Sequence, residues 1–150
     1  MSTKNFTPVS SPIRPQPHFV GPLVLVVEDH EDTRYLLRYV METHGYRVVE
    51  AADGEQGVVI ASTAHPDLIL MDTDLPHVDG LAATKCIRAQ AMLRDVPIIF
   101  ISGHAQPEAR LAALATGGTE YFVKPIRLSE LEAAVERELT KFSNDKLTKH

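Results

Sequence analysis

The chain has 150 residues, 44% of them hydrophobic, which suffices for one buried core and, by length, one domain. A net charge of -5 argues against nucleic acid as a direct partner, because a polyanion is held by clustered basic surface and none is present. Cys86 is the only cysteine, so neither a disulfide framework nor a cysteine zinc site fits within one chain; no apolar run approaches the ~18 residues of a membrane span, and no secretory pattern opens the sequence. The expectation is a cytoplasmic protein that does not contact a membrane.

Residues 1–22 contain Pro8, Pro12, Pro15, Pro17 and Pro22 among few large apolar side chains, a composition that reads as a disordered, proline-rich segment. From Leu23 the pattern alternates. The run LVLVV predicts a buried strand, TRYLLRYVMETHG a helix with Leu36, Leu37, Val40 and Met41 on one face and a stop at Gly45, and RVVEA a second strand. GEQGVVIAST follows as a glycine-interrupted helix, then LILM (strand), GLAATKCIRAQ (helix), PIIFIS (strand), EARLAALAT (helix) and YFV (strand). In the final helix, LSELEAAVERELT, the residues Leu128, Leu131, Val135 and Leu139 form the apolar stripe. The domain is expected over 23–139, with 140–150 as a solvated, mildly basic tail.

Strands apolar on both faces that alternate with helices imply a doubly wound, five-stranded parallel sheet covered by five helices, joined by right-handed crossovers. In such α/β sheets the functional crevice lies beyond the carboxyl ends of the strands. Glu28 and Asp29 follow the first strand, Asp72 and Asp74 the third, Ser102 the fourth, and Lys124 with Pro125 the fifth. Carboxylates gathered at one edge repel unless a cation neutralises them, and this oxygen-only set favours Mg²⁺ over softer metals. Beside such a cation, a carboxylate at a strand end is a nucleophile suited to a phosphoryl group. His30, His77 and His104 flank the region without metal-cluster spacing and read as solvated loop residues; Cys86 reads as a small core residue.

Four stretches, VLVVEDH, PDLILMDTDLPHVDG, PIIFISG and GGTEYFVKP, occur in register over Leu23 to Leu139 and together resemble the receiver domain of two-component response regulators, of the single-domain, chemotaxis-regulator-like kind. The resemblance implies the flavodoxin-like receiver fold. It further implies that Asp72 accepts a phosphoryl group from a phosphohistidine of a sensor histidine kinase or phosphotransfer protein. Asp29 is then a direct Mg²⁺ ligand, Glu28 acts mainly through water, Asp72 itself contributes, and the backbone carbonyl of Asp74 completes the set. Lys124 pairs with the phosphoryl group across a cis bond to Pro125. Ser102 and Tyr121 match a switch pair, the ring of Tyr121 being accessible or mixed in the free protein and turning inward on phosphorylation. A downstream protein reads the face of the fourth helix, fifth strand and fifth helix.

Some positions depart from the family pattern: Glu28 stands where aspartate is commoner, Asp74 is acidic, Gly103 follows Ser102, and Arg127 occupies a capping position, so that the last helix is expected either to start later, near Leu128, or to fray. Three functions follow as alternatives. One is a phosphorylatable signalling module or phosphorelay intermediate without an output domain, whose only catalysis is its own phosphorylation and dephosphorylation. DTD also resembles the nucleophile motif of haloacid dehalogenase-like phosphohydrolases, although that motif normally ends the first strand. The third alternative is a degenerate, non-phosphorylated binding module.

Overall fold

A computed structural model describes residues 21–148 of the chain. The proline-rich reading of 1–22 therefore falls, up to residue 20, outside the described residues. Five strands form one parallel sheet: β1 (Leu23–Val27), β2 (Arg47–Ala51), β3 (Leu68–Asp72), β4 (Ile98–Ser102) and β5 (Glu120–Val123), in the order β2-β1-β3-β4-β5. Between them run α1 (Glu31–Thr43), α2 (Gly54–Ala64), α3 (Gly80–Arg88) and α4 (Pro107–Ala115), and α5 (Leu128–Thr148) closes the fold.

The three inner strands are buried along their whole length. Their alternate residues face two separate cores, as the pleat requires. Leu25, Val27, Ile69, Met71, Ile98 and Phe100 pack on the side of α2, α3 and α4, whereas Val24, Val26, Leu68, Leu70, Ile99 and Ile101 meet Leu37, Val40 and Met41 of α1 and Leu131, Val135 and Leu139 of α5. The edge strand β2 is more open and is tied to α1 by Glu50, which receives hydrogen bonds from Arg34 and Arg38.

Local signals account for the helix ends. Asp53 and Asp79 cap α2 and α3 by accepting from the backbone N–H groups of Gln56 and Ala82. Gly45 takes φ +86 after α1, a conformation open to glycine. A Cβ at Gly80 would lie 2.2 Å from the carbonyl oxygen of Asp72, so α3 starts against the end of β3 only because this residue has no side chain.

Three sequence readings need correction. Leu36 is 45% exposed, because the buried stripe of α1 runs through Leu37, Val40 and Met41 and turns position 36 toward solvent. Cys86 is also exposed, since α3 buries Ala83, Thr84 and Ile87 instead. The chain beyond 139 is no tail through Thr148: α5 continues to that residue, and Phe142, one turn past Leu139, packs against the core on the α2, α3 and α4 side of the sheet. The start of α5 at Leu128 agrees with expectation, as does the cis Lys124–Pro125 bond. In α4 only Ala113 is fully buried, and Leu111 is exposed.

Candidate functional site

Six of the seven sequence-predicted site residues stand at the carboxyl edge of the sheet, and the seventh, Tyr121, lies within β5 opposite Phe100 and reaches that edge through its hydroxyl. Asp72 terminates β3, and the parallel register sets it opposite Ile101, one residue before Ser102. Ser102 in turn pairs with Val123, which delivers Lys124 to the same edge. Strand register thus assembles groups that are far apart in sequence.

The carboxylate of Asp72 is only 2% exposed. Its Oδ1 accepts the backbone N–H of Asp74 at 3.0 Å, and its Oδ2 lies 3.6 Å from Lys124 Nζ. The same ammonium stands 3.8 Å from Glu28 Oε1. Glu28 is buried at 1% exposure, with Oε2 accepting the backbone N–H of His30 at 3.0 Å. Burial is the main cause that raises its carboxyl above the ordinary value, and the neighbouring Asp72 adds to it; the His30 N–H and Lys124 oppose the shift without cancelling it.

Among the described residues, Glu28 Oε1 and Asp29 Oδ1 are buried oxygens that accept no hydrogen bond. Buried polar atoms of native proteins are ordinarily satisfied. Two such oxygens beside a buried aspartate form a hard, anionic donor set that fits a divalent cation. His30 modifies the oxygen-only picture: its Nδ1 lies 3.5 Å from both Glu28 Oε2 and Asp29 Oδ1, so one imidazole nitrogen borders the carboxylates, although the side chain is largely exposed.

A second group of contacts lies on the β4 side. Ser102 is fully buried, and its Oγ accepts both the hydroxyl of Thr73 at 2.8 Å and the backbone N–H of His104 at 3.0 Å. The hydroxyl of Tyr121 donates to the carbonyl of His104 at 2.7 Å, and its ring, 8% exposed, packs 6.4 Å from that of Phe100. The Tyr121 ring is therefore inward in this structure, in place of the accessible or mixed position expected from the sequence. The inward position offers an apolar neighbour for the ring and an acceptor for its hydroxyl, which is what a tyrosine needs in order to be buried.

Thr73 and His104 were missed as members of this network. His104 has a signal in its spacing, being two residues past Ser102 as Asp74 is two past Asp72; its Nε2 lies 2.9 Å from Asp74 Oδ1. Thr73 has no distinguishing sequence pattern, because a threonine after a strand is ordinary.

Family comparison agrees with this geometry: the model of the response regulator receiver domain matches residues 24–136. The chain belongs to the response regulator receiver family. Among curated relatives, this receiver is 35% identical over 120 residues to the phosphate regulon transcriptional regulatory protein of Klebsiella pneumoniae, covering 80% of the chain and 52% of the relative. It is 36% identical, with the same two coverages, to the KDP operon transcriptional regulatory protein of Escherichia coli. The chain thus spans about half the length of these relatives.

Solved structures give the same fold. The receiver domain of a sensor histidine kinase from Pseudomonas aeruginosa, crystallised with a magnesium ion coordinated in its active-site cleft, is 37% identical with a TM-score of 0.76, covering 81% of this chain and 99% of that one. A chemotaxis protein of Vibrio cholerae is 29% identical with a TM-score of 0.75, covering 79% and 98%. The haloacid dehalogenase-like alternative finds no support in these relationships. No helix among the described residues is long and apolar enough to cross a membrane.

Proposed function

We propose that this receiver accepts a phosphoryl group on Asp72 from the phosphohistidine of a sensor histidine kinase or phosphotransfer protein, and passes the signal to a downstream protein through the face of α4, β5 and α5. The observation that carries the reading is a buried strand-end carboxylate with an ammonium 3.6 Å away and, beside it, two acidic oxygens that accept no hydrogen bond. In the transfer a carboxylate oxygen of Asp72 attacks phosphorus, the bond from phosphorus to the donor imidazole nitrogen breaks, and that nitrogen leaves with the electron pair. An acyl phosphate results.

The residues of the chain prepare this step. The Asp74 N–H fixes the Asp72 carboxylate by holding Oδ1. Lys124 offsets the negative charge that accumulates when phosphoryl oxygens join three carboxylates. Glu28, Asp29, Asp72 and the backbone carbonyl of Asp74 are the groups that would hold Mg²⁺, which when bound supplies positive charge toward the phosphoryl oxygens. The hydroxyl of Ser102, turned from its present partners, is the donor available to the new phosphate, and Tyr121 is its partner in the switch.

The only catalysis in this reading is formation and hydrolysis of the chain's own acyl phosphate. A reducing, cytoplasmic setting fits the exposed, unpaired Cys86. The acidic receiver is proposed to work through protein contacts, with no direct hold on nucleic acid. Incubation with acetyl phosphate and Mg²⁺, followed by intact mass measurement, tests the assignment. Wild type should gain one phosphoryl group and Asp72→Asn none; equal yields in both would remove Asp72 from the role.

A further inference from the structure

His104 makes three contacts in three directions. Its backbone N–H donates to Ser102 Oγ at 3.0 Å, its carbonyl accepts from Tyr121 at 2.7 Å, and its ring Nε2 meets Asp74 Oδ1 at 2.9 Å. Because a carboxylate only accepts, Nε2 is the donor in the last of these. The other residues of the β4–α4 loop, Gly103, Ala105 and Gln106, are exposed, so the ties that fasten this loop to the strand ends run through His104.

The ring contact is the one that the backbone does not impose. It links the loop after β4 to the loop after β3 and closes a circuit: Asp72 Oδ1 receives the Asp74 N–H, Asp74 Oδ1 receives the His104 ring, the His104 N–H reaches Ser102 Oγ, and Thr73 Oγ1 reaches the same oxygen. The four hydrogen bonds are joined through the backbone of the two loops, so each restrains the position of the residues that make the others. The carbonyl that receives Tyr121 belongs to the residue whose ring is clamped, so the acceptor for the inward tyrosine is held in place by a side-chain contact on the far side of the cleft.

We infer that the contact between His104 and Asp74 is a latch that keeps Tyr121 inward before any phosphoryl group arrives, making His104 a positioning residue for the switch. The resting chain therefore already presents its α4–β5–α5 face in the ring-inward form, and phosphorylation adds little further movement of Tyr121. Both latch side chains are more than half exposed, at 54% and 55%, so the contact is modest and a partner protein can outcompete it. The resting position of Tyr121 stands on its own, whereas the consequence for signalling rests on the Asp72 reading.

Fluorine NMR of the full chain labelled with fluorotyrosine tests the latch, the Tyr121 resonance being assigned with Tyr121→Phe. Unphosphorylated wild type should show a Tyr121 signal shielded from solvent. His104→Ala and Asp74→Ala should each raise the exposed population by roughly fivefold, the ratio given by one modest net hydrogen bond, and combining them should add nothing. His104→Gln keeps an N–H donor and should keep the wild-type signal, which separates loss of the latch from general damage to the loop. A solvent-exposed Tyr121 in wild type, or a shielded one in both alanine variants, overturns the inference. Beryllofluoride with Mg²⁺, added to His104→Ala, should return the ring inward; if it does not act while the unliganded shifts are as expected, the Asp72 reading fails and the latch stands.

Discussion

Lys124 Nζ and Asp72 Oδ2 face each other at 3.6 Å across the end of the sheet, one partner a third exposed and the other buried. A pair so placed neutralises the acceptor without covering it. The ammonium is the resting counter-charge of the acidic cluster and, because it follows β5 directly, the link from that cluster to the strand carrying Tyr121.

Replacing Lys124 with alanine should therefore have two opposite effects. Mg²⁺ affinity of the unphosphorylated protein should rise several-fold, since a competing positive charge is gone and like charges a few ångströms apart cost about 1 kcal/mol or more near a surface. The chemical shifts that phosphorylation induces in α4 and α5 should shrink. Titration calorimetry and backbone NMR read the two effects, and undiminished shifts would leave Lys124 only a neutralising role.

The metal site should distinguish its two acidic residues. Glu28 already spends Oε2 on the His30 N–H, whereas Asp29 is partly open to solvent. Asp29→Asn should weaken Mg²⁺ binding roughly tenfold or more, and Glu28→Gln by less, on the scale known for perturbed metal sites. Equal affinity in wild type and Asp29→Asn would refute the ligand scheme.

Gly80→Ala should disturb the fold and the site together. The added methyl would lie 2.2 Å from the Asp72 carbonyl oxygen and 2.9 Å from Thr73 Cα, both backbone atoms that cannot step aside cheaply. We expect a loss of about 2 kcal/mol, in the range of overpacked positions, and slower phosphorylation by acetyl phosphate. Urea unfolding and initial rates by intact mass would show both. A stable variant with normal rates would mean that the β3–α3 junction is softer than its contacts imply.

Glu50 gives a pH signature remote from the acceptor. Hydrogen bonding from Arg38, then from Arg34, holds its carboxyl below the ordinary value of 4.5 despite partial burial. A lowered folded value means that the stabilisation is present at neutral pH and disappears as pH falls from about 4.5 through that lowered value. Glu50→Gln should cost about 1 kcal/mol at pH 7, discounted for exposure, and the two proteins should converge in strong acid. A penalty independent of pH would assign the effect to packing.

Much of this was legible because parallel sheets write their burial plainly. LVLVV, LILM and IIFIS are apolar on both faces, and the residue that ends each run lands at the functional edge, so Glu28, Asp29, Asp72, Ser102 and Lys124 were placed by strand termination alone. What escaped depends on rotation and on contacts between loops. Leu36 and Cys86 sit one position off their buried stripes, a difference that helical periodicity does not resolve at the edge of a face. Phe142 follows Leu139 by one turn and was readable, but the run of polar residues around it suggested an end. The inward Tyr121 was not legible, since its acceptor is a backbone carbonyl whose position depends on the His104 ring.

α4 is held to the molecule by one fully buried side chain, that of Ala113, and by Leu114, half-buried against the same core. An alanine methyl offers well under half the transfer free energy of a leucine, which by area is about 1.5–3 kcal/mol, so the helix is anchored far less firmly than α1 or α5 with their leucines and valines. Its amide hydrogens should accordingly exchange with solvent ahead of those in the neighbouring helices, because opening it exposes little apolar surface. The composition PEARLAALA thus sets a mechanical property: rigid central strands border a more loosely fastened plate, joined to them through the β4–α4 loop.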